Sequence, residues 1–197
     1  MNKPDLKDIK QAYITADLLY SESEVNHAIR QMGISISEAR HDRNPIILCV
    51  MNGGLVTTGK LLTELNFPLE VDYVHASRYR NTTYGQTLEW KAAPHIDLNG
   101  RSVLIVDDIL DEGHTLAAII EYCQAKGATE TFMAVLINKD HNRKAMPDLI
   151  PDFIGLEVED RYVFGFGMDY CGYWRNAPGI FALKEPKNNV SEAETTP

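Results

Sequence analysis

One segment near the middle of the chain constrains the fold more than any other. The segment Val103–Thr115 reads VLIVDDILDEGHT. Its first four residues are apolar and predict a short buried strand, with Asp107 and Asp108 following at its carboxyl end. A loop then leads through Gly113 into a predicted helix. The segment therefore indicates one strand–loop–helix unit of an α/β protein.

Strands and helices are predicted to alternate along the whole chain. Ser21 and Glu24 have the spacing of a capping box, and apolar residues recur at helical spacing from there to about Arg40. Further strands are predicted over 46–50, 69–75, 131–137, 153–158 and 162–166, helices over 55–65 and 115–126, and a long polar loop over 78–94. Such alternation is typical of an α/β fold with a doubly wound, mostly parallel sheet, in which ligands bind at the carboxyl ends of the strands.

Composition narrows the class of protein. The 197 residues suit a single domain, predicted over 1–183, followed by a loose polar tail over 184–197. A net charge of −9 argues against nucleic acid as a partner, and the absence of a long apolar run argues against a membrane and favours the cytoplasm. Three cysteines without a Cys-x-x-Cys pair argue against a disulfide framework and a zinc site.

The residue types in the central segment suit a sugar phosphate. Backbone amides at a helix start favour an anion, and Gly113 would let the backbone approach a phosphate closely. Ionised Asp107 and Asp108 can accept hydrogen bonds from sugar hydroxyls. The candidate ribose and phosphate contacts are Asp107, Asp108, Asp111, Glu112, Gly113, His114 and Thr115. Two acids after a strand also occur in receiver domains and metal-dependent phosphatases, or as a purely structural turn.

The spacing of Asp107, Asp108, Asp111, Gly113 and Thr115 closely resembles the phosphoribosyl-pyrophosphate binding motif of type I phosphoribosyltransferases. The resemblance implies the fold of that family, a doubly wound sheet flanked by helices with a small hood formed by the terminal segments. It also implies phosphoribosyl pyrophosphate as the donor and Mg²⁺ as the cofactor. Asp111 matches the family's proposed catalytic base.

Two other segments resemble hypoxanthine-guanine phosphoribosyltransferases at the pyrophosphate site. Asn52 and Gly53 fall in a loop similar to the one that contacts pyrophosphate, although many members carry Lys where Asn52 stands. The family's loop often contains a cis peptide bond, which here falls between Met51 and Asn52. Arg78 and Tyr79 fall on the family's mobile loop, and we expect Arg78 to bring a positive charge to the pyrophosphate.

The C-terminal third resembles the purine-binding part of the same enzymes. Lys139 resembles the Lys that recognises the purine, and it can donate to a 6-oxo group but not to the amino group of adenine. Arg143 matches a family Arg near the same site. The resemblance further implies purine contacts from Tyr162, Val163 and Asp169, a pyrophosphate contact from Arg175, and metal binding by Asp169, with Asp107 and Asp108 acting indirectly.

The resemblance implies a purine-salvage enzyme that converts a 6-oxopurine into its nucleoside monophosphate as a homodimer or homotetramer. Two alternatives stay open. One is a phosphoribosyltransferase for adenine, uracil or orotate, against which Lys139 and Tyr162 argue. The other is a non-catalytic regulator that senses phosphoribosyl pyrophosphate, which would have no need of Asp111.

Overall fold

The structure is a computed structural model that describes residues 4–78, 88–146 and 149–184, apart from the side chains of residues 77, 78 and 88. In chain order its elements are α1 (Leu6–Thr15), β1 (Asp17–Ser21), α2 (Glu22–Arg40), β2 (Ile46–Val50), α3 (Gly54–Leu62), β3 (Glu70–Arg78), β4 (Leu88–Ala92), β5 (Ser102–Leu110), α4 (His114–Ala125), β6 (Glu130–Asp140), β7 (Phe153–Glu159), β8 (Val163–Phe164) and β9 (Gly179–Ala182). None of the helices described is long and apolar enough to cross a membrane.

A six-stranded sheet forms the centre, in the order β4-β3-β2-β5-β6-β7. Its strands pair in parallel except for β4, which runs antiparallel to β3 at the edge. Along β5 the side chains alternate between two cores. Leu104 and Val106 pack with the apolar faces of α2 and α3, whereas Val103 and Ile105 pack with that of α4. Helices therefore cover both faces, which confirms the predicted doubly wound, mostly parallel sheet.

A second, three-stranded sheet joins the two ends of the described chain. Its order is β1-β9-β8, and Asp17 of β1 pairs with Ala182 of β9. Tyr13 of α1 stacks on Trp174, with ring centroids 4.5 Å apart. Arg161 links the same two ends, because it donates to the Asp17 carboxylate at 2.6 Å and to the backbone carbonyl of Leu183 at 2.8 Å. These terminal segments form the small hood that the family resemblance implies.

The boundaries of several elements differ from the sequence predictions. The capping box at Ser21 and Glu24 is present, and α2 ends at Arg40 as expected. The prediction of one long loop over 78–94 is wrong for its second half, because β4 forms an edge strand there. Trp90 of β4 packs against Tyr122 with ring centroids 4.5 Å apart, a contact that no local pattern reveals. Helix α3 ends at Leu62, earlier than predicted.

Candidate active site

A cleft of about 410 Å³ opens at the carboxyl edge of the central sheet. The expected site residues that line it are Asn52, Gly53, Asp107, Asp108, Asp111, Glu112, Gly113, Thr115, Lys139, Tyr162, Val163, Asp169 and Arg175. His114 is not among the lining residues, and its ring lies 3.7 Å from the Glu112 carboxylate. Tyr79 and the side chain of Arg78 lie outside the described residues. Four segments far apart in sequence thus meet in one cleft.

Two buried carboxylates form the floor of the cleft. Asp107 and Asp108 are each 8% exposed, and both belong to β5, which is longer than the four-residue strand that the sequence predicts. Burial and the neighbouring charge of Asp108 raise the pKa of Asp107 well above its ordinary value. Burial also raises the pKa of Asp108, although hydrogen bonding with Asp107 and the charge of Arg175 oppose the rise. Buried acids of one sign favour partners that bring positive charge or hydrogen-bond donors.

The loop after β2 packs directly against these acids. The peptide bond between Met51 and Asn52 is cis. A Cβ on Gly53 would collide with the Asp108 carboxylate, and one on Gly54 would lie 2.5 Å from the Val106 carbonyl oxygen. Glycine is therefore required at both positions by close approach to β5, and the loop is held at the cleft beside the acid pair.

The loop from Asp111 leads into the N-terminus of α4 at the cleft. Gly113 is the N-cap residue in the left-handed region, with φ of 86°. A Cβ there would lie 2.5 Å from a methyl carbon of Leu149 and 2.9 Å from one of Leu110. The backbone turn and the apolar neighbours therefore favour glycine here in addition to the close approach to a phosphate that the sequence suggests, which stays a prediction. The start of a 12-residue helix still directs its positive dipole end to this edge.

An ion-pair network connects this loop to β6. Lys139, which the longer β6 includes, donates to the Asp111 carboxylate at 3.0 Å and lies 3.7 Å from that of Asp160. Arg143 donates to both oxygens of Asp160 at 2.7 and 2.8 Å. His141 contacts Asp111 at 2.6 Å. Partial burial acts to raise the pKa of Asp111, but hydrogen bonds from Lys139 and His141 outweigh it and hold the pKa below its ordinary value.

His141 is the residue of this network that the sequence analysis missed. Its side chain is 4% exposed, yet it stands just after the end of β6 in a polar stretch, where nothing in the pattern predicts burial. Asp111, His141 and Asp160 offer ligand atoms within 4.8 Å of one another. Because Lys139 and Arg143 already supply positive charge to both carboxylates, the group is better described as an ion-pair network than as a metal site.

The opposite wall of the cleft carries an aromatic ring and a fixed cation. Tyr162 is 50% exposed, and its hydroxyl donates to the Asp169 carbonyl at 3.1 Å. Arg175 is held by the Asp169 carboxylate and by the Gly167 carbonyl, and it lies 3.9 Å from the Asp108 carboxylate. The other Asp169 oxygen accepts from a backbone amide at 2.7 Å. The wall therefore offers a flat apolar face beside a guanidinium group whose position is fixed.

Comparisons with known proteins agree with this geometry. The model of the phosphoribosyl transferase domain family matches residues 17–171. The chain is similar to the hypoxanthine-guanine-xanthine phosphoribosyltransferase of Tritrichomonas foetus, with 33% identity over 85% of this chain and 91% of that protein. It is equally similar to the hypoxanthine-guanine phosphoribosyltransferase of Bacillus subtilis, with 33% identity over 85% and 92% of the two chains.

Solved structures give the same result. A hypoxanthine-guanine-xanthine phosphoribosyltransferase superposes with a TM-score of 0.77 at 32% identity, over 86% of this chain and 97% of that one. The fold is thus shared with a protein of known class. The chain belongs to the phosphoribosyl transferase family.

Proposed function

We propose that the chain is a purine-salvage enzyme that transfers the 5-phosphoribosyl group of phosphoribosyl pyrophosphate to hypoxanthine or guanine, and also to xanthine. The products are the nucleoside monophosphate and pyrophosphate. One observation carries the proposal: the buried acid pair, the N-terminus of α4 and the buried Lys139 line the same cleft. The names of two similar relatives support the enzyme over a regulator that only senses the donor.

The donor would bind at the acid-pair end of the cleft. Asp107 and Asp108 accept hydrogen bonds from the ribose hydroxyls, and the 5-phosphate lies against the amides of residues 111–115 at the start of α4. Arg175 meets the pyrophosphate as a cation, with the Asn52–Gly53 loop beside it. Arg78 is a further proposed pyrophosphate contact, and unchanged donor kinetics in Arg78→Ala would remove it from that role.

The base would bind between Tyr162 and Lys139. Stacking on the Tyr162 ring is worth about 1–3 kcal/mol by analogy with base stacking in nucleic-acid binders. Lys139 donates to the 6-oxo group of the purine, whereas adenine would place an amino group against that ammonium group. The backbone of Val163 and the Asp169 side chain complete the base site. With adenine, the Lys139 ammonium group and the purine amino group would both be donors and neither would have an acceptor. Leaving buried donors unpaired gives strong discrimination against adenine.

The transfer follows from these positions. Nitrogen N9 of the purine bonds to C1 of the ribose as the bond from C1 to the pyrophosphate oxygen breaks. The purine then loses its N7 proton, and Asp111 accepts that proton as general base. Hydrogen bonds from Lys139 and His141 hold the pKa of Asp111 low. When Lys139 turns to the purine oxygen, Asp111 loses one of these donors and becomes a stronger base.

The cleft suits Mg²⁺ as the cofactor. Carboxylate oxygens are the ligands that Mg²⁺ prefers, and Asp169 lines the cleft wall. To bind the ion, its carboxylate would exchange a contact with Arg175 or with the Gly172 amide for the metal. Asp107 and Asp108 add two buried carboxylates on the floor of the cleft, and these favour a nearby cation. They would act on the metal ion indirectly, through the ribose hydroxyls that they bind. When bound, Mg²⁺ neutralises charge on the leaving pyrophosphate.

We further propose that one domain over residues 1–183 forms a homodimer or homotetramer in the cytoplasm. An exposed apolar face supports association. Leu55, Val71 and Tyr73 are 54%, 49% and 42% exposed, and they border one shallow cavity. Exposed apolar groups that cluster in this way mark interaction surfaces more often than single exposed residues do.

Nucleotide formation tests the proposal. The full chain is mixed with Mg²⁺, phosphoribosyl pyrophosphate and one of hypoxanthine, guanine, xanthine or adenine, and the ultraviolet spectrum is followed. We expect nucleotide from the oxopurines and none from adenine. Product from adenine would mean that the base site is assigned wrongly. Donor binding without product from any base would favour the regulator.

A further inference from the structure

His141 is buried next to Asp111, the proposed general base. It lies two residues after Lys139, where the chain leaves β6, and its side chain is 4% exposed. Its Nε2 atom lies 2.6 Å from Oδ1 of Asp111, whereas Lys139 bonds the other oxygen, Oδ2. The two oxygens of Asp111 therefore have separate partners. One of these partners, Lys139, is also the proposed donor to the 6-oxo group of the purine.

The backbone fixes the tautomer of this histidine. The amide N–H of Arg143 donates to Nδ1 of His141 at 3.0 Å, so Nδ1 acts as the acceptor. The imidazole is then neutral and carries its proton on Nε2, which donates to Asp111. In this state His141 has no free lone pair for the proton that Asp111 receives. It can orient the carboxylate but cannot relay its proton.

We propose that His141 is a positioning residue that holds Asp111 in place for proton transfer after Lys139 has turned to the purine oxygen. The inference rests on the proposed function, since it needs a purine proton to move. With Oδ1 held by His141, Oδ2 stays directed at the cleft, where N7 of the base would lie. Residue 141 thus links the turn after β6 to the orientation of the acceptor oxygen.

Besides the neutral His141, several charged groups act on Asp111. Lys139 is bonded to it, Arg143 lies 3.9 Å from Oδ1, and the charges of Asp111 and Lys144 also interact. Asp160 faces Lys139 and Arg143 from the far side. All of these remain when only His141 is changed. Removing its hydrogen bond should therefore raise the pKa of Asp111, because a donor to the ionised form is lost.

Two substitutions separate the bond to Asp111 from the structure of the turn. His141→Asn keeps a side-chain acceptor for the amide of Arg143, as in an Asx-turn, but its amide is too short to reach Asp111. His141→Gln places an N–H donor close to the position of Nε2. The kcat, the KM for each substrate and the pH dependence of kcat are measured for both variants and the wild type, using hypoxanthine, and thermal unfolding checks folding.

We expect His141→Asn to lower kcat by roughly tenfold or more, a part of what general-base catalysis contributes. Its KM values should stay within about twofold, and the acid limb of its pH profile should move to higher pH. His141→Gln should recover most of kcat and return the limb toward that of the wild type. An unchanged kcat and acid limb in a folded His141→Asn variant would overturn the role of His141 alone. Absence of nucleotide formation by the wild type would overturn the proposed function and this inference together.

Discussion

Adding one methyl group at Gly54 tests how closely α3 must approach β5. A Cβ at this position would lie 2.5 Å from the Val106 carbonyl oxygen and 3.1 Å from the Cα of Asp107. Both neighbours are backbone atoms of a central strand, so neither can move without displacing the sheet or the helix. Such overpacking costs about 1–3 kcal/mol. For a chain of this size, that lowers the melting temperature by roughly 2–12 °C.

Gly59→Ala is the matched control in the same helix. A Cβ on Gly59 meets no atom within 4 Å. Alanine in a helix is favoured over glycine by about 0.5–1 kcal/mol, so Gly59→Ala should raise the melting temperature by roughly 1–4 °C. Calorimetry of both variants measures the two shifts. Size-exclusion chromatography should accompany it, because Gly59 borders the exposed apolar face.

The two substitutions add the same atoms to the same helix, and the account predicts opposite signs. If Gly54→Ala melts at or above the wild-type temperature, the close contact between α3 and β5 is not present in solution. The placement of the loop over Asp107 would then have to be revised as well.

Two further substitutions test the base site and a buried acid. Lys139→Met should reduce the preference in kcat/KM for hypoxanthine over adenine by roughly ten- to hundredfold, because it removes one hydrogen bond from a charged donor. The control variant Lys144→Met should leave that preference unchanged. Lys144 donates to backbone and amide oxygens between β5 and β6 and does not line the cleft, so an equal loss in both variants would contradict the role of Lys139. Asp72→Asn should lower the free energy of unfolding at neutral pH by about 1–3 kcal/mol, because Asp72 accepts three backbone N–H groups. Burial acts to raise the pKa of Asp72, but these bonds outweigh it and lower the pKa. The advantage of the wild type should therefore be full above the unfolded value near about pH 4 and be lost as the pH falls through the lower pKa of the folded state. Urea unfolding at pH 7 and in acid measures this, and an advantage that is the same at every pH would refute the reasoning.

Local patterns in the sequence were sufficient to predict the five parallel strands of the central sheet, but not its edge strand β4. The capping box at Ser21 and Glu24 and the apolar run before Asp107 each involve neighbours along the chain, and both features are present. The family motif also led to the residues that line the cleft. Periodicity and capping are local properties, so they can be recognised without knowledge of the tertiary structure.

Contacts between distant segments could not be predicted in the same way. The pairing of Asp17 with Ala182 joins opposite ends of the chain, and β1 is too short to show a clear alternation. The role of His141 could not be predicted, because its contact with Asp111 depends on β6 extending to Asp140 and on the chain folding back toward Asp111. The reason for glycine at position 113 likewise depends on Leu149, which is distant in sequence. The proposed roles of Arg78 and Tyr79 stay predictions.

The central claim is that the cleft between the acid pair and Lys139 is the catalytic centre, with Asp111 as its base. The most direct test compares the kcat for nucleotide formation and the KM for the donor in Asp111→Asn and in the wild type. The account predicts that kcat falls by roughly 10²–10⁴-fold, as expected when a general base is removed, whereas the donor KM changes by only a few-fold. An unchanged kcat would remove Asp111 from catalysis and contradict the assignment of the cleft.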